Sequence, residues 1–184
     1  PALSSPHTGS ASYWDERYAS SEETFDWYQD YSTLRPYIIP HLKKAADFEI
    51  LVPGCGNSRL GADIYSDGFV NITNVDISSV VISQMTSMYA KYEEMEFSTM
   101  DAKHMEFIPN CCFDVIVDKA LFDSMLCGDE NTADVQQLVT EMWRILKPGG
   151  VYLLVSHGAP PSRLPHLSAN SSNYQWSIQH HELR

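Results

Sequence analysis

Strand-like stretches alternate with helix-forming stretches along most of this chain, and this alternation limits its fold more than any other feature. The strand candidates are FEILVP (48–53), NITNVD (71–76), EMEFSTMDA (94–102), FDVIVDK (113–119) and GVYLLVS (150–156). Apolar periodicity and capping residues predict helices at 58–66, 78–92 and 133–146. Such alternation is typical of βαβ units, so we expect an α/β fold whose doubly wound, mostly parallel sheet is covered by helices.

The ends of the chain are less regular. Residues 1–12 are rich in Ser, Pro, Gly and Ala and are interpreted as a flexible segment, followed by a single domain over 13–184. An aromatic-dense segment at 13–31 predicts a helix, a loop and a second short helix, and a helix capped by Ser32 is expected through residue 44. A last strand candidate, 173–181, follows a Pro-rich loop.

Composition narrows the class of protein. Apolar residues make up 43% and charged residues 20% of the 184 residues, without a membrane-length apolar run or a secretory signal, so we expect a soluble, cytoplasmic protein with no membrane partner. The net charge of -12 argues against nucleic acid and suits a basic partner, although acidity for solubility alone is equally compatible. The four cysteines form no C-x-x-C motif, so neither disulfides nor a metal site is expected.

The loop after the first strand, GCGNSRLG, suggests a ligand. Gly54 and Gly56 match the start of a dinucleotide-binding G-x-G-x-x-G motif, but Arg59 stands at the third glycine position and Gly61 comes two residues later. An acid that could bind a ribose, Asp76, ends the second strand 22 residues after Gly54. The loop therefore indicates a ligand with a ribose and no pyrophosphate, such as S-adenosylmethionine; the alternative is a plain tight turn.

Two further strand ends point to the same edge of the sheet. Asp101, with Ala102 beside it, could accept the exocyclic amine of adenine, although a surface acid would look the same in sequence. The fourth strand ends at Asp118 and Lys119, which would lie toward the sulfonium end of such a ligand. These positions predict a nucleoside site across several strand ends.

Taken together, these motifs resemble the class I S-adenosylmethionine-dependent methyltransferases over residues 32–156. More narrowly, YWDERY, DWYQDY, LVPGCGNS, VDISSVVI, MDA and DKALFDSML resemble a eukaryotic methyltransferase-like group that includes the lysine methyltransferases of elongation factor 1-alpha. The resemblance implies a Rossmann-like fold with S-adenosyl-L-methionine as cofactor and S-adenosyl-L-homocysteine as product.

The resemblance also assigns residues to that cofactor. It implies that Gly54 approaches the methionine part, that Asp76 with Ile77 holds the ribose, that Asp101 with Ala102 frames the adenine, and that Lys119 lines the methyl-transfer end. Three aromatic residues, Trp14, Tyr18 and Trp27, are expected to fold over the cofactor as a lid. Plain core packing is the alternative for these aromatics.

The sequence departs from the family pattern at three places. Val52 stands where most members have an acid two residues before the first glycine, so the methionine ammonium needs another acceptor, for which a backbone carbonyl at Gly54 or Lys119 is a candidate. Ala120 replaces a glycine that usually follows the lysine of the fourth-strand motif. The closing antiparallel strand of the family is not evident before Arg184.

These observations favour a methyltransferase that modifies a lysine of a basic protein such as an elongation factor. Its acceptor amine must lose a proton before it attacks, and Asp123 is the residue expected to orient it, unless Asp123 only stabilises its own helix. A small-molecule methyltransferase and a non-catalytic module that binds the cofactor are the two alternatives.

Overall fold

One parallel five-stranded sheet forms the centre of the protein. The structure, a computed structural model, describes residues 10–20, 23–127, 131–168 and 174–183. The strands are β1 (Ile50–Pro53), β2 (Ile72–Asp76), β3 (Met95–Thr99), β4 (Phe113–Lys119) and β5 (Leu146–Val155). Their order is β3-β2-β1-β4-β5, so the chain reverses its direction of winding between β1 and β4. The predicted α/β fold is confirmed, and the switch between β1 and β4 is where such sheets bind ligands.

Seven helices accompany the sheet in the described part of the chain. They are α1 (Ala11–Ala19), α2 (Tyr31–Ile38), α3 (Leu60–Ser66), α4 (Ser79–Met88), α5 (Leu121–Leu126), α6 (Asn131–Ile145) and α7 (Pro160–Ser168). None of them is both long and apolar enough to cross a membrane.

The core lies in two layers, one on each face of the sheet. Because neighbouring residues of a strand point to opposite faces, Val52 of β1 packs with α3 and α4 while Leu51 packs with α5 and α6. Helices α1 and α2 add Tyr18 and Leu34 to the α3–α4 side. Both faces are therefore covered, which explains why the strands have continuous rather than alternating apolar sequences.

The N-terminal elements differ from the predictions. Helix α1 begins at Ala11, within the segment interpreted as flexible, because the Ser10 hydroxyl accepts a hydrogen bond from the backbone N–H of Tyr13 and caps the helix; residues 1–9 lie outside the described residues. The second short helix predicted within 13–31 is wrong for residues 23–30, which form no helix.

Helix α2 also differs from its prediction at both ends. Asp30 caps it rather than Ser32, since the Asp30 carboxylate accepts the backbone N–H of Thr33 at 2.9 Å. The helix ends at Ile38 in a short 3-10 turn (Ile39–His41) instead of continuing to residue 44. Pro40 has no N–H with which to extend the helical hydrogen bonds.

Two predictions near the C-terminus are also wrong. The Pro-rich stretch 158–172 contains helix α7, because Pro160 and Pro161 occupy its first turn, where the missing N–H groups cost nothing; residues 169–172 lie outside the described residues. The strand predicted at 173–181 does not form: residues 174–183 have no regular secondary structure, and residue 173 is not described. The family's closing antiparallel strand is thus not found among the described residues.

Candidate active site

A pocket opens at the carboxyl ends of β1, β2, β3 and β4, next to the switch point. All nine residues predicted to contact the cofactor line it: Trp14, Tyr18, Trp27, Gly54, Asp76, Ile77, Asp101, Ala102 and Lys119. The parallel register brings them together, since each strand ends at the same edge of the sheet. The described residues hold no group of three or more His, Cys, Asp or Glu side chains that could bind a metal ion.

The glycine loop approaches the pocket with its backbone. Gly54 and Gly56 have φ angles of +59° and +50°, a left-handed conformation that residues with a Cβ rarely adopt. A Cβ on Gly56 would lie 2.6 Å from the hydroxyl oxygen of Tyr18. The second glycine of the motif therefore allows the aromatic residue of α1 to close over the loop.

We expect Gly56→Ala to destabilise the protein by about 2–3 kcal/mol, because it adds a steric conflict with Tyr18 to a left-handed backbone cost of about 1–2 kcal/mol. In a Tyr18→Phe background the nearest ring atom would be Cζ at 3.5 Å, an ordinary contact, so only the backbone cost should remain. Thermal unfolding of the four variants forms a double-mutant cycle. Additive effects would show that the hydroxyl of Tyr18 does not set the requirement for glycine.

Gly61 takes over the packing role of the missing third glycine. It lies in the first turn of α3, and a Cβ there would collide with the side-chain amide of Asn74 on β2. The exposed Arg59 instead forms an i,i+4 ion pair with Asp63. The close contact between helix and strand is thus kept two residues later, while the position that would face a pyrophosphate is not glycine.

Asp76 is a buried carboxylate held by the backbone. It is 6% exposed, and it accepts the N–H of Gly56 on Oδ2 at 2.8 Å and the N–H of Ser78 on Oδ1 at 3.0 Å. Burial raises its pKa, and the backbone N–H groups of Ser78, Gly56 and Ile77 oppose this rise. Each oxygen keeps a second lone pair, so the carboxylate can accept two further hydrogen bonds from a ligand.

A second polar cluster lies after β3. The Oδ1 atom of Asp101 accepts the backbone N–H of Lys103 at 2.9 Å, and the Lys103 ammonium donates to Asp134 of α6 at 2.8 Å. The side chains of Asp101 and Lys103 are only 30% and 17% exposed. This end of the pocket therefore combines a carboxylate with the apolar surface of Met100 and Ala102.

Residues 23–30, called the strap below, cross the pocket from α1 to α2. At one end the backbone N–H of Phe25 donates to the carbonyl of Asn57, and the Asn57 amide donates to the carbonyl of Glu23. In the middle the Asp26 carboxylate accepts from both the Ser58 hydroxyl and the Lys119 ammonium. The strap is thus bonded to the glycine loop and to the end of β4.

The three aromatics predicted to form a lid differ in burial: Tyr18 is a core residue, whereas Trp14 and Trp27 are partly exposed. Tyr18 is 7% exposed, belongs to the buried cluster, and stacks on Trp14 with ring centroids 5.8 Å apart. The guanidinium of Arg17 lies 5.8 Å from the ring centroid of Trp14 and 5.3 Å from that of Trp27. A cation between two rings is favourable, so Arg17 links α1 to the strap over the pocket.

Asp123 does not line the pocket. Its Oδ2 accepts from the Tyr28 hydroxyl and the backbone N–H of His157, both at 2.8 Å, and its Oδ1 accepts from Ser156 and Arg163 at 2.6 and 3.0 Å. All four lone-pair positions of this carboxylate are occupied. Asp123 can orient an acceptor amine only if one of these bonds breaks, and the observed contacts favour a structural role that ties the strap to β5 and α7.

Ala120, where the family has glycine, adopts a left-handed conformation with φ +74° and is buried. We expect Ala120→Val to destabilise the protein by about 2–3 kcal/mol, because a β-branched side chain tolerates positive φ poorly. The control Ala120→Gly should stay within about 1 kcal/mol of the parent, since relief of the backbone offsets the lost methyl group. Thermal denaturation measures both, and equal effects of the two substitutions would contradict the interpretation.

The strap residue Asp26, which contacts two residues of the pocket lining, is not predicted from the sequence. Its only signal was an acid between Phe25 and Trp27 in a stretch that was expected to contain a helix. Ser58, the other partner of Asp26, was seen only as the start of a predicted helix. Neither contact has a sequence pattern, because each joins residues about 30 or more positions apart.

Comparisons with known proteins agree with this geometry. A family model described as a methyltransferase domain matches residues 44–183. EEF1A lysine methyltransferase 4 of Mus musculus is 34% identical over 178 residues, which cover 91% of this chain and 68% of that protein. The eEF1A lysine and N-terminal methyltransferase of Mus musculus is also 34% identical, over 98% of this chain but only 26% of its own length.

A solved structure shows the same fold. The glycopeptide N-methyltransferase MtfA, complexed with (S)-adenosyl-L-homocysteine, matches with a TM-score of 0.56 and 22% identity, over 76% of this chain and 58% of its own. Because the methyltransferase family model also matches most of the chain, the chain belongs to the class I S-adenosylmethionine-dependent methyltransferases, and S-adenosylmethionine is its cofactor. Within that class, the two mouse relatives are named as lysine methyltransferases of eEF1A.

Proposed function

We propose that this methyltransferase modifies a lysine side chain of a protein and that elongation factor 1A is its substrate. The main support for a lysine as the methyl acceptor is the 34% identity to EEF1A lysine methyltransferase 4 across 91% of this chain. The net charge of -12 supports a basic protein as partner, because opposite charges favour encounter and like charges oppose it.

The residues that line the pocket support S-adenosylmethionine as its ligand. Asp76 is buried and lines the pocket with two free acceptor positions, which suit the two hydroxyl groups of a ribose. The Gly56 N–H already donates a hydrogen bond to Asp76, so the loop is held in place before a ligand binds. A prearranged acceptor loses little entropy on binding.

The adenine is assigned to the cluster after β3. The Oδ2 atom of Asp101 can accept from the exocyclic amine, and the Ala102 backbone lies beside it in the pocket lining. Ile77 and Met100 offer apolar surface to the ring. Lys103, which pairs with Asp134 and lies 4.0 Å from Asp101, offsets one of the two carboxylate charges at this end.

For the transfer itself, the chain's task is positioning. Bound S-adenosylmethionine supplies a methyl group that its sulfonium has already activated. The covering aromatics, Trp14 and Trp27, exclude water from the pocket, and Lys119 lies at the transfer end. Because the four hydrogen bonds of Asp123 leave it no free acceptor, we assign the release of the lysine proton to bulk water before the amine enters the pocket, and the role of Asp123 to holding Tyr28 in place.

Methyl-labelled cofactor tests this proposal. The purified protein should transfer label to elongation factor 1A and not to a sample whose lysines have been blocked by acetylation, which leaves an amide nitrogen that cannot attack the methyl group. Equal labelling of both samples would contradict a lysine acceptor. A parallel incubation with cell lysate, whose labelled products are then separated by size, tests the alternatives. Label confined to small molecules would favour a small-molecule methyltransferase. Cofactor binding without any labelled product would favour a non-catalytic module.

A further inference from the structure

The amino-acid end of the cofactor lacks its usual partner in this chain. An acid two residues before the first glycine would serve the methionine ammonium, but that position is Val52. Val52 is 2% exposed and packs in the core beside Ile50 and Leu60. This position therefore supplies a buried apolar side chain and no charged group for the ammonium.

Opposite charges are nevertheless present where the glycine loop, the strap and β4 meet. The Lys119 ammonium, with its side chain only 3% exposed, donates to the Asp26 carboxylate and to the carbonyl of Gln29 at 3.3 Å. The Ser58 hydroxyl donates to the same Asp26 oxygen. Both Lys119 and Ser58 line the pocket, so this ion pair borders it.

We propose that Asp26 and Lys119 together recognise the amino-acid zwitterion of the cofactor, with Asp26 accepting the ammonium and Lys119 donating to the carboxylate. Each partner has capacity left: Oδ2 of Asp26 accepts no hydrogen bond among the described residues, and Lys119 uses two of its three N–H groups. The four charges would then alternate in sign around a ring. This inference rests on the proposed placement of the cofactor in the pocket.

The other charged residues of the lining fit this role less well. Asp101, Lys103 and Asp134 are already engaged with each other after β3, at the end assigned to adenine. Asp76 lies beneath the loop and is assigned to the ribose. The Arg59–Asp63 ion pair also involves the glycine loop, but neither residue lines the pocket, whereas Asp26 is bonded to the lining residues Ser58 and Lys119.

Binding measured by calorimetry tests the proposal with two ligands. S-adenosylhomocysteine carries the zwitterion, whereas 5′-methylthioadenosine has the same nucleoside and lacks it. Asp26→Asn should weaken S-adenosylhomocysteine binding by about 10- to 100-fold, the value of one charge-assisted hydrogen bond, and leave 5′-methylthioadenosine binding within about twofold. Lys119→Gln should give the same pattern.

The matched control is Asp30→Asn, the same change four residues further along, where asparagine still caps α2. It should bind both ligands as the parent does. If Asp26→Asn binds S-adenosylhomocysteine like the parent, or loses both ligands equally, recognition of the zwitterion is wrong, the second result indicating that Asp26 only closes the strap. If the parent itself binds neither ligand, the placement of the cofactor in the pocket fails instead.

Discussion

Asp76→Asn should lower the affinity for S-adenosylhomocysteine by about 100-fold or more while the protein stays folded. The substitution removes a buried charge and replaces one acceptor oxygen with an amide that faces the N–H of Gly56. Two charge-assisted hydrogen bonds to the ribose are worth about 1.5–3 kcal/mol each. Because burial already raises the pKa of this carboxyl, its loss should change the stability of the free protein by only about 1 kcal/mol.

Isothermal calorimetry gives the affinity, and thermal unfolding without ligand checks the fold. Asp63→Asn provides the matched control, since it makes the same change on α3, where Asp63 pairs with Arg59 outside the pocket lining. We expect it to bind as the parent does. An Asp76→Asn protein that keeps the parent's affinity would remove Asp76 from the ribose site.

The second large effect concerns the pH dependence of stability. Asp118 is completely buried at the end of β4, where it accepts N–H groups of Leu121 and Phe122 and the hydroxyl of Tyr152. Burial raises its pKa from 3.8 to about 7. Between these values the folded protein holds a proton that the unfolded chain has released, so this group contributes stability that is lost as the pH rises toward 7.

The effect is measured as the difference in unfolding free energy between the parent and Asp118→Asn. That difference should fall by about 3 kcal/mol from about pH 5 to about pH 8, at about 1.4 kcal/mol for each pH unit below the folded pKa. Asp47→Asn, at an exposed position, should show a flat difference over the same range. A flat difference for Asp118→Asn as well would mean that the carboxyl is ionised in the folded protein throughout.

The sheet could be predicted from sequence because its information is local. Buried parallel strands have to be apolar on both faces, and runs such as those of β1 and β4 are short and bounded by turn residues. The cap of α4 was likewise predicted at Ser78 or Ser79, and the Ser78 hydroxyl accepts the N–H of Val81 at 3.3 Å. Turn glycines and caps act over a few residues, so single-sequence reasoning finds them.

The errors occur where tertiary contacts decide the conformation. Residues 174–183 have an apolar pattern resembling a strand, yet Tyr174 and Trp176 pack their rings against Trp143 of α6 instead of joining the sheet. Helix α7 was not predicted because of its prolines, although Pro160 and Pro161 lie in its first turn, where proline is compatible with a helix; Pro165 lies further inside the helix. The ring contacts of Tyr174 and Trp176 with Trp143 join residues about 30 or more positions apart, which a local sequence pattern does not reveal.

The residues of the pocket also divide into those that local sequence predicts and those that depend on tertiary contacts. Gly54, Asp76 and Asp101 could be placed because each follows directly from the end of a strand. Asp26 could not, since its position depends on how the strap folds across the loop. The motif of Asp123 suggests a catalytic role, but no local pattern indicates the four donors that surround it.

The strap also bears on how quickly the enzyme can complete a cycle. It is bonded to the glycine loop through Asn57 and to β4 through Lys119, and its residues Phe25 and Trp27 line the pocket. If the strap has to move before spent cofactor leaves, the product departs only as often as these bonds break. Any interaction that lengthens the residence time of the product in this way lowers the ceiling on turnover, even though it has no part in the chemical step.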